Sequence, residues 1–219
     1  MEGMQLQSFP NAEGMPIILS VISAIQREKE RLCELDGATG DGDHGINMNK
    51  GFTLCGEALA ASPKDLSGSL LQLSSILMRD IGGSMGPLYG SFFRAMGKTC
   101  LGAPRIDGPL FLSMLENGER AVLSTGQANR GDKTMLDCLG PAVDALRESL
   151  EAGNSFREAL DHLKSSATSG RDSTYDMLAR VGRASRLGER SRGHIDAGAA
   201  SCCTILYAMA DGVSTRLHP

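Results

Sequence analysis

Three aspartates stand close together in one short glycine-rich segment, residues 36–45, which reads DGATGDGDHG. Carboxylates about 4 Å apart repel by roughly 4 kcal/mol at an effective dielectric of about 20, so gathering Asp36, Asp41 and Asp43 is costly without a cation. The spacing lacks the closing glutamate of an EF-hand, whereas Mg²⁺ takes one or two carboxylates per ion and completes its shell with water and phosphates. The segment predicts Mg²⁺ beneath a nucleotide diphosphate; a surface turn with solvated charges is the alternative.

A second glycine-rich loop, residues 82–87, reads GGSMGP. Its backbone N–H groups and the Ser84 hydroxyl could contact a phosphate near a helix N-terminus. The loop is not a Walker A sequence, because no Gly-Lys-Ser/Thr follows, and no strand precedes it as a dinucleotide fingerprint requires. Taken alone, a plain turn between two helices explains this loop at least as well.

Two more segments add candidate phosphate ligands. In the GDKTMLD segment, Asp132 is predicted to cap a helix, and Lys133 could face the phosphates. Residues 182–198 hold four arginines, which suits a phosphate clamp, a solvated loop or a surface for a partner protein. His44 and His194 are candidate acid/base or phosphate-contacting groups, although a histidine in a loop more often serves as a hydrogen-bonding residue.

Composition and charge exclude several classes of protein. The formal net charge is -4 and the pI is about 5.6, with acidic and basic residues mixed along the chain, so nucleic acid is not expected as a partner. The 6 cysteines form no C-x-x-C pair and are predicted to be buried thiols in a reducing cytoplasm. The apolar stretch from Met15 to Ile25 is too short to span a bilayer and has no cleavage site, so export and membrane insertion are not expected.

Apolar residues recur at helical spacing along most of the 219 residues, and no convincing period-two strand is found. This pattern predicts an all-α fold of about eight helices in a single domain over residues 1–219, with residues 1–14 as a flexible N-terminal segment. The predicted helices cover residues 16–34, 47–61, 66–79, 89–100, 109–124, 134–150, 156–168 and 199–211, with a short piece around 172–181.

Four motifs in fixed order carry a resemblance to a known family. They are DGDHG followed by Asn47-Met48, then GGSMGPLYG at 82–90, GDKTM at 131–135, and GRAS at 182–185 running into LGERS. As a set they resemble the DhaL family, the ADP-binding subunit or C-terminal domain of dihydroxyacetone kinases, over nearly the whole chain. The resemblance implies an up-and-down barrel of eight helices that binds the nucleotide in the loops at one end, with two Mg²⁺ ions bridging it to the aspartates.

The resemblance also implies roles for individual residues. Asp36, Asp41 and Asp43 correspond to metal ligands and, with Arg183, to catalytic residues. Two positions depart from the family pattern, since serine often stands where Met85 is and proline where Ala197 is, which leaves backbone contacts at Met85 and a more mobile closing loop. The implied nucleotide contacts are His44, Gly45, Ile46, Asn47, Ser84, Met85, Gly126, Met135, Arg183, Asp196, Ala197 and Gly198.

The function implied is that of a phosphotransferase subunit. Such a subunit holds Mg-ADP or Mg-ATP while a separate DhaK-like subunit holds the ketose, either dihydroxyacetone or a four-carbon sugar such as erythrulose. In one branch a DhaM-like protein of the phosphotransferase system rephosphorylates resident ADP, and in the other ATP is consumed. A homodimer is a further option, and the alternatives are a nucleotide-sensing regulatory protein and a stand-alone Mg²⁺-dependent phosphohydrolase.

Overall fold

Helices make up most of the part of the chain that the computed structural model describes, residues 7–218. Eight long apolar stretches were predicted to be helical; the first spans two helices of the structure, and each of the other seven corresponds to one. The helices are α1 (Met15–Arg27), α2 (Lys29–Thr39), α3 (His44–Ala61), α4 (Leu66–Asp80), α5 (Met85–Thr99), α6 (Gly108–Gly126), α7 (Leu136–Glu151), α8 (Phe156–Ser173) and α9 (Ala197–Ser214), with 3-10 helices at Asn11–Glu13 and Ala184–Ser191.

The helices run up and down and close into a ring. Each helix from α3 onwards packs against the next one along the chain, and α9 returns to pack against α1, which also contacts α3. Only Glu28 separates α1 from α2, so the two together form the first wall of the barrel. The all-α up-and-down barrel is therefore confirmed, with the first predicted helix broken into two segments.

One apolar core fills the inside of the ring. Its largest fully buried side chains include the aromatic residues Phe52, Phe92 and Phe93, whose rings pack edge to face. Burial of each of these phenylalanine side chains stabilises the folded state by roughly 1.5–3 kcal/mol relative to leaving it exposed. Burial of the aromatic residues holds α3 and α5 in fixed positions, and both helices begin at the same end of the barrel.

Two short strands depart from the prediction that the chain has none. Strand β1 (Ser8–Pro10) pairs antiparallel with β2 (Arg105–Asp107), and Ser8 also forms a bridge with His218. A strand of three residues is too short to show a period of two, which is why the pattern missed it.

The N-terminal segment was predicted to be flexible up to residue 14, and this is wrong for the portion that the structure describes. Phe9 is fully buried in the core. The Asn11 amide donates to the carbonyls of Cys100 and Ala103, and its oxygen accepts the Ser67 N–H. Residues 1–6 of the predicted flexible segment lie outside the described residues.

The short helical piece predicted around residues 172–181 is also wrong beyond the end of α8. After Ser173 the chain makes a turn and continues without regular structure to residue 180. Beyond the turn hydrogen bonds that follow α8, its backbone groups bond to other segments, since the Tyr175 carbonyl accepts from Gly193 N–H and the Arg180 N–H donates to the Asp132 carbonyl.

Side-chain capping differs between helices that begin at the two ends of the barrel. At the end away from the α2–α3 turn, α4, α6 and α8 are each capped by a side chain, from Asp65, Asp107 and Ser155. At the other end, α9 is capped by the Asp196 side chain, whereas α3, α5 and α7 begin without a side-chain cap from their N-cap residue. The N–H groups of a helix's first turn have no partner within the helix, so this end is the one suited to receive a ligand.

Candidate active site

A cavity of about 730 Å³ opens at the barrel end where α3, α5, α7 and α9 begin. Loops that are far apart in the sequence meet there. Gly45 and Ile46 are not among the residues that line the cavity, so their contact with a nucleotide stays a prediction. The predicted site residues that line it are Asp36, Asp41, Asp43, His44, Asn47, Ser84, Met85, Gly126, Met135, Arg183, Asp196, Ala197 and Gly198.

The three aspartates of the first motif converge on one point. Each can offer one carboxylate oxygen, and these oxygens all lie within 4.8 Å of one another. Asp36 is in the last turn of α2 and Asp43 precedes α3, while Gly42 between them has a φ of +75°, a left-handed conformation that favours glycine. Three carboxylates at one point fit a hard divalent cation such as Mg²⁺, which prefers oxygen ligands.

The arginine-bearing loop reaches across to this acidic cluster. The Arg183 guanidinium forms an ion pair with the Asp41 carboxylate, and both side chains are exposed. Arg183 therefore lies beside the acidic cluster, at the rim of the cavity. An exposed ion pair of this kind contributes little to stability, typically 0–1 kcal/mol, so its position is of more interest than its energy.

Four helix N-termini point towards the cavity. The N-cap residues of α3, α5 and α7 are Asp43, Ser84 and Met135, and none of them makes a side-chain cap hydrogen bond. Before α5, Gly83 has a φ of +70°, and a Cβ atom there would meet nothing within 4 Å, so the loop is open on this side. First-turn N–H groups and the positive ends of helix dipoles favour phosphate, and several of them act together at this cavity.

A buried chain of hydrogen bonds underlies the cavity floor. His44 Nε2 lies 2.8 Å from the Ser201 hydroxyl, which lies 2.6 Å from the Tyr89 hydroxyl. Tyr89 in turn donates to the Gly198 carbonyl over 3.0 Å. These hydrogen bonds connect the starts of α3, α5 and α9. Neither Tyr89 nor Ser201 was predicted to be a site residue.

Burial lowers the pKa of His44 to about 4, although the nearby Asp36 carboxylate raises it. The imidazole is therefore neutral at pH 7. At the first residue of α3, the Asp36 carboxylate also accepts the His44 backbone N–H over 3.3 Å. His44 thus serves as a hydrogen-bonding residue in this structure, the more common of the two roles considered from the sequence.

Asp196 begins α9 as its N-cap. Its carboxylate accepts the Ala199 N–H over 2.7 Å, and its own N–H donates to the Thr174 hydroxyl over 3.0 Å. Burial raises the pKa of Asp196 from its ordinary value of 3.8 to about 6, even though the Ala199 hydrogen bond and the Lys133 ammonium both lower it. Asp196 lines the cavity beside Ala197 and Gly198.

The GDKTMLD segment differs from its prediction at two residues. Asp132 does not cap α7: its carboxylate accepts the Asn129 N–H, while Asp137 accepts the N–H groups of Gly131 and Thr134 and organises the turn. From the sequence, Lys133 could face the phosphates, but its ammonium group donates instead to the backbone carbonyls of Met177, Ser191 and His194. Asp137, in the first turn of α7, therefore accepts N–H groups ahead of the helix in place of an N-cap side chain.

Three comparisons with known proteins show the family and the fold of the chain. The profile of the DAK2 domain matches residues 38–211, most of the described barrel. The chain belongs to the DAK2 domain family. It is 41% identical to the PEP-dependent dihydroxyacetone kinase ADP-binding subunit DhaL of Escherichia coli K12 over 84% of this chain and 88% of that one. It is 36% identical to the PTS-dependent dihydroxyacetone kinase ADP-binding subunit DhaL of Lactococcus lactis over 87% of this chain and 91% of that one.

The fold of this DAK2 domain also matches a solved structure. The dihydroxyacetone kinase of C. freundii in complex with AMP-PNP and Mg²⁺ superimposes with a TM-score of 0.71 at 24% identity, over 96% of this chain. The chain corresponds to 36% of that larger kinase. The resemblance to DhaL subunits that four motifs carried is confirmed.

The DAK2 domain has cavity-lining residues that sequence patterns did not single out. Leu88, Val122, Thr125 and Ala128 line the cavity on the side formed by the start of α5 and the end of α6. These are ordinary helix-face residues, and no motif marks them. Leu88, Val122 and Ala128 provide an apolar wall of the kind that suits a planar base, beside a floor of polar groups. Within the described residues no helix is both long and apolar enough to cross a membrane.

Proposed function

We propose that this chain is the nucleotide-holding subunit of a dihydroxyacetone-type kinase, which binds Mg-ADP and passes a phosphoryl group to a ketose held on a separate DhaK-like subunit. The observation that carries the proposal is the convergence of three carboxylates and several helix N-termini on one cavity. A cation and a diphosphate together satisfy both sets of groups, whereas either one alone leaves the other set without a partner.

Asp36, Asp41 and Asp43 would hold Mg²⁺, and the resemblance to DhaL subunits implies two ions. The bound metal would neutralise charge on the phosphates. The first-turn N–H groups beside Ser84 and Met85 would bind the diphosphate, with the backbone serving at Met85. Arg183 is placed to offset charge on the phosphoryl group in transfer, so the chain's contribution is positioning and electrostatic stabilisation, without a covalent intermediate.

The two DhaL relatives favour the branch in which ADP stays bound. Both are named as separate ADP-binding subunits, one PEP-dependent and one PTS-dependent, and the chain covers 88% and 91% of their lengths. By contrast it corresponds to only 36% of the kinase solved with AMP-PNP. We therefore propose a DhaM-like phosphotransferase-system protein as phosphoryl donor and dihydroxyacetone as the ketose.

The test is the nucleotide and metal content of the freshly purified, gently denatured protein, by anion-exchange chromatography and elemental analysis. Near-stoichiometric ADP with magnesium is the expected result. An empty protein that Mg-ATP stabilises against heat, as ligand linkage requires, would move the proposal to the ATP-consuming branch. An empty protein whose thermal stability responds to neither nucleotide nor metal would overturn it.

A further inference from the structure

Among the described residues, Lys133 is the one lysine whose side chain is buried, with 3% of its surface exposed, and it lines the cavity. Its ammonium group donates three hydrogen bonds, to the backbone carbonyls of Met177 at 3.3 Å, Ser191 at 2.6 Å and His194 at 2.7 Å. An ammonium group has three N–H donors, so all of them are used. Every acceptor lies in residues 174–196, which also carry Arg183 and Asp196 and form the arginine-bearing segment.

The backbone of Lys133 supports a specific role for the side chain. Its φ is +63°, in the left-handed region that a lysine seldom adopts and a glycine adopts freely. Glycine would suit the backbone better, but it would provide no donor to the three carbonyls. A strained residue with fully used donors indicates that the side chain is needed at this position.

The segment that Lys133 contacts has a fixed base and a free tip. The base comprises residues 174–179 and 191–196, where Ser191 is fully buried, accepts the Ala179 N–H and donates to the Gly188 carbonyl. The tip, residues 182–188, begins and ends at glycines with positive φ and is largely exposed, and its Arg183 forms the ion pair with Asp41. Arg183 makes none of the hydrogen bonds named for the base. Its position over the cavity therefore depends on contacts made by other residues.

We propose that Lys133 is a positioning residue: a built-in cation whose three hydrogen bonds fix the base of the arginine-bearing segment, and thereby set how long a nucleotide stays in the cavity. The consequence for the nucleotide rests on the proposed function, whereas the consequence for the segment does not. Removal of the ammonium group leaves three backbone carbonyls at the base without their donor, and the cost of such unpaired groups would loosen the base first.

The first test uses the parent protein alone. In hydrogen–deuterium exchange without nucleotide, the amides of Ala179 and Gly193 at the base should exchange slowly, at rates close to those of neighbouring helices. The amides of the tip should exchange rapidly and slow down when Mg-ADP is added. Fast exchange at the base of the nucleotide-free parent would overturn the proposal, whatever the behaviour of any variant.

The second test replaces Lys133→Met, which keeps the stem and removes the charge, with Lys98→Met on the exposed end of α5 as the matched control. We expect exchange at the base to rise about tenfold or more, and the dissociation of a fluorescent ADP analogue to become about tenfold faster, since a charged hydrogen bond is worth at least that factor. The association rate should change less than twofold. Unchanged exchange and dissociation would contradict the role given to Lys133, as would a uniform rise in exchange over all helices.

A third test supplies the lost group from solution. Propylammonium is the part of the lysine side chain that Lys133→Ala removes, and the cavity wall that includes Lys133 gives it a route in. Propylammonium should slow exchange at the base and nucleotide dissociation in this variant, whereas tetramethylammonium, which has no N–H donor, should not at the same ionic strength. Equal results in the two salts would contradict the proposal. If the parent binds no nucleotide, the proposed function fails, while the exchange measurements still decide the role of Lys133.

Discussion

At the scale of single residues, the site depends on charges gathered at some cost to the fold. Asp36, Asp41 and Asp43 bring three carboxylate oxygens within 4.8 Å of one another, which is unfavourable until a cation binds. Removal of one of these carboxylate charges should therefore raise the stability of the metal-free protein and weaken its binding of Mg-ADP.

Asp43→Asn tests this expectation, with Glu57→Gln on the exposed face of the same helix as control. Without metal, the variant should be as stable as the parent or more stable by up to about 1 kcal/mol, because one like charge is gone. Its affinity for Mg-ADP should fall at least about tenfold, because a metal ligand is lost. Urea unfolding and calorimetric titration measure the two effects; Mg-ADP affinity equal to the parent's would remove Asp43 from the metal site.

Asp196 gives a pH dependence with a definite sign. Its pKa is raised from 3.8 to about 6 by burial, so between these values the folded state binds more protons than the unfolded state and stability falls as pH rises. Asp196→Asn keeps an N-cap side chain and removes this effect. Relative to the variant, the nucleotide-free parent should lose on the order of 1–2 kcal/mol between pH 4 and pH 7, measured by urea unfolding. A constant difference across this range would contradict the raised pKa.

At the scale of helices, the positions of apolar residues predicted most of the fold because amphipathic helices repeat over many residues. The break at Glu28 was missed because apolar spacing continues on both sides of it. Strand β1 was missed for the opposite reason, since three residues carry no period. In the site, the aspartate cluster could be predicted from residue types and spacing, whereas Arg183 was singled out among four arginines only by the resemblance to the DhaL family.

The direction of a side chain could not be predicted in the same way. Lys133 lies in a motif that lines the cavity, yet its ammonium group points to carbonyls more than forty residues away in the chain. Ser201 and Tyr89 look like ordinary helix residues, and only the packing of α3, α5 and α9 brings them to His44. Contacts made across the barrel leave no local pattern in the sequence.

The crossing of α2 and α3 sets the geometry of the metal loop, and Gly45 lies at the closest approach. A Cβ atom there would come 2.0 Å from the Lys29 carbonyl and 2.8 Å from Cys33 Sγ. Gly45→Ala should therefore destabilise the protein by about 1–3 kcal/mol and weaken Mg-ADP binding, because the two helices must move apart.

Gly56→Ala on the same helix is the matched control. Its Cβ would meet Ile22 at an ordinary 3.7 Å, so it should stabilise the protein by about 0.5–1 kcal/mol through higher helix propensity. Thermal and urea unfolding of both variants measure the contrast. Equal effects of the two substitutions would show that the approach of α2 to α3 does not constrain the helices.

At the scale of the whole molecule, the cavity of about 730 Å³ lies within the usual range for a bound small molecule. A metal-bound nucleoside diphosphate would occupy much of it, which supports a division of labour in which another subunit holds the ketose. We expect the purified chain with Mg-ATP and dihydroxyacetone to form no sugar phosphate, and activity to appear when a DhaK-like subunit and the phosphoryl donor are added. Adding Asp43→Asn in place of the parent should leave the assembled system inactive. Steady turnover by the chain alone would contradict this division.

The sheet of β1 and β2 determines where the protein can be attached to a linker, a support or a second domain. Ser8 pairs with Asp107, at the start of α6, and with His218, so both described ends of the chain meet at the barrel end opposite to the cavity. A linker, a solid support or a fused domain joined at Ser8 or at His218 would leave from the barrel end opposite to the cavity. The cavity would then face freely outward, and a large protein could dock over it without meeting the tether.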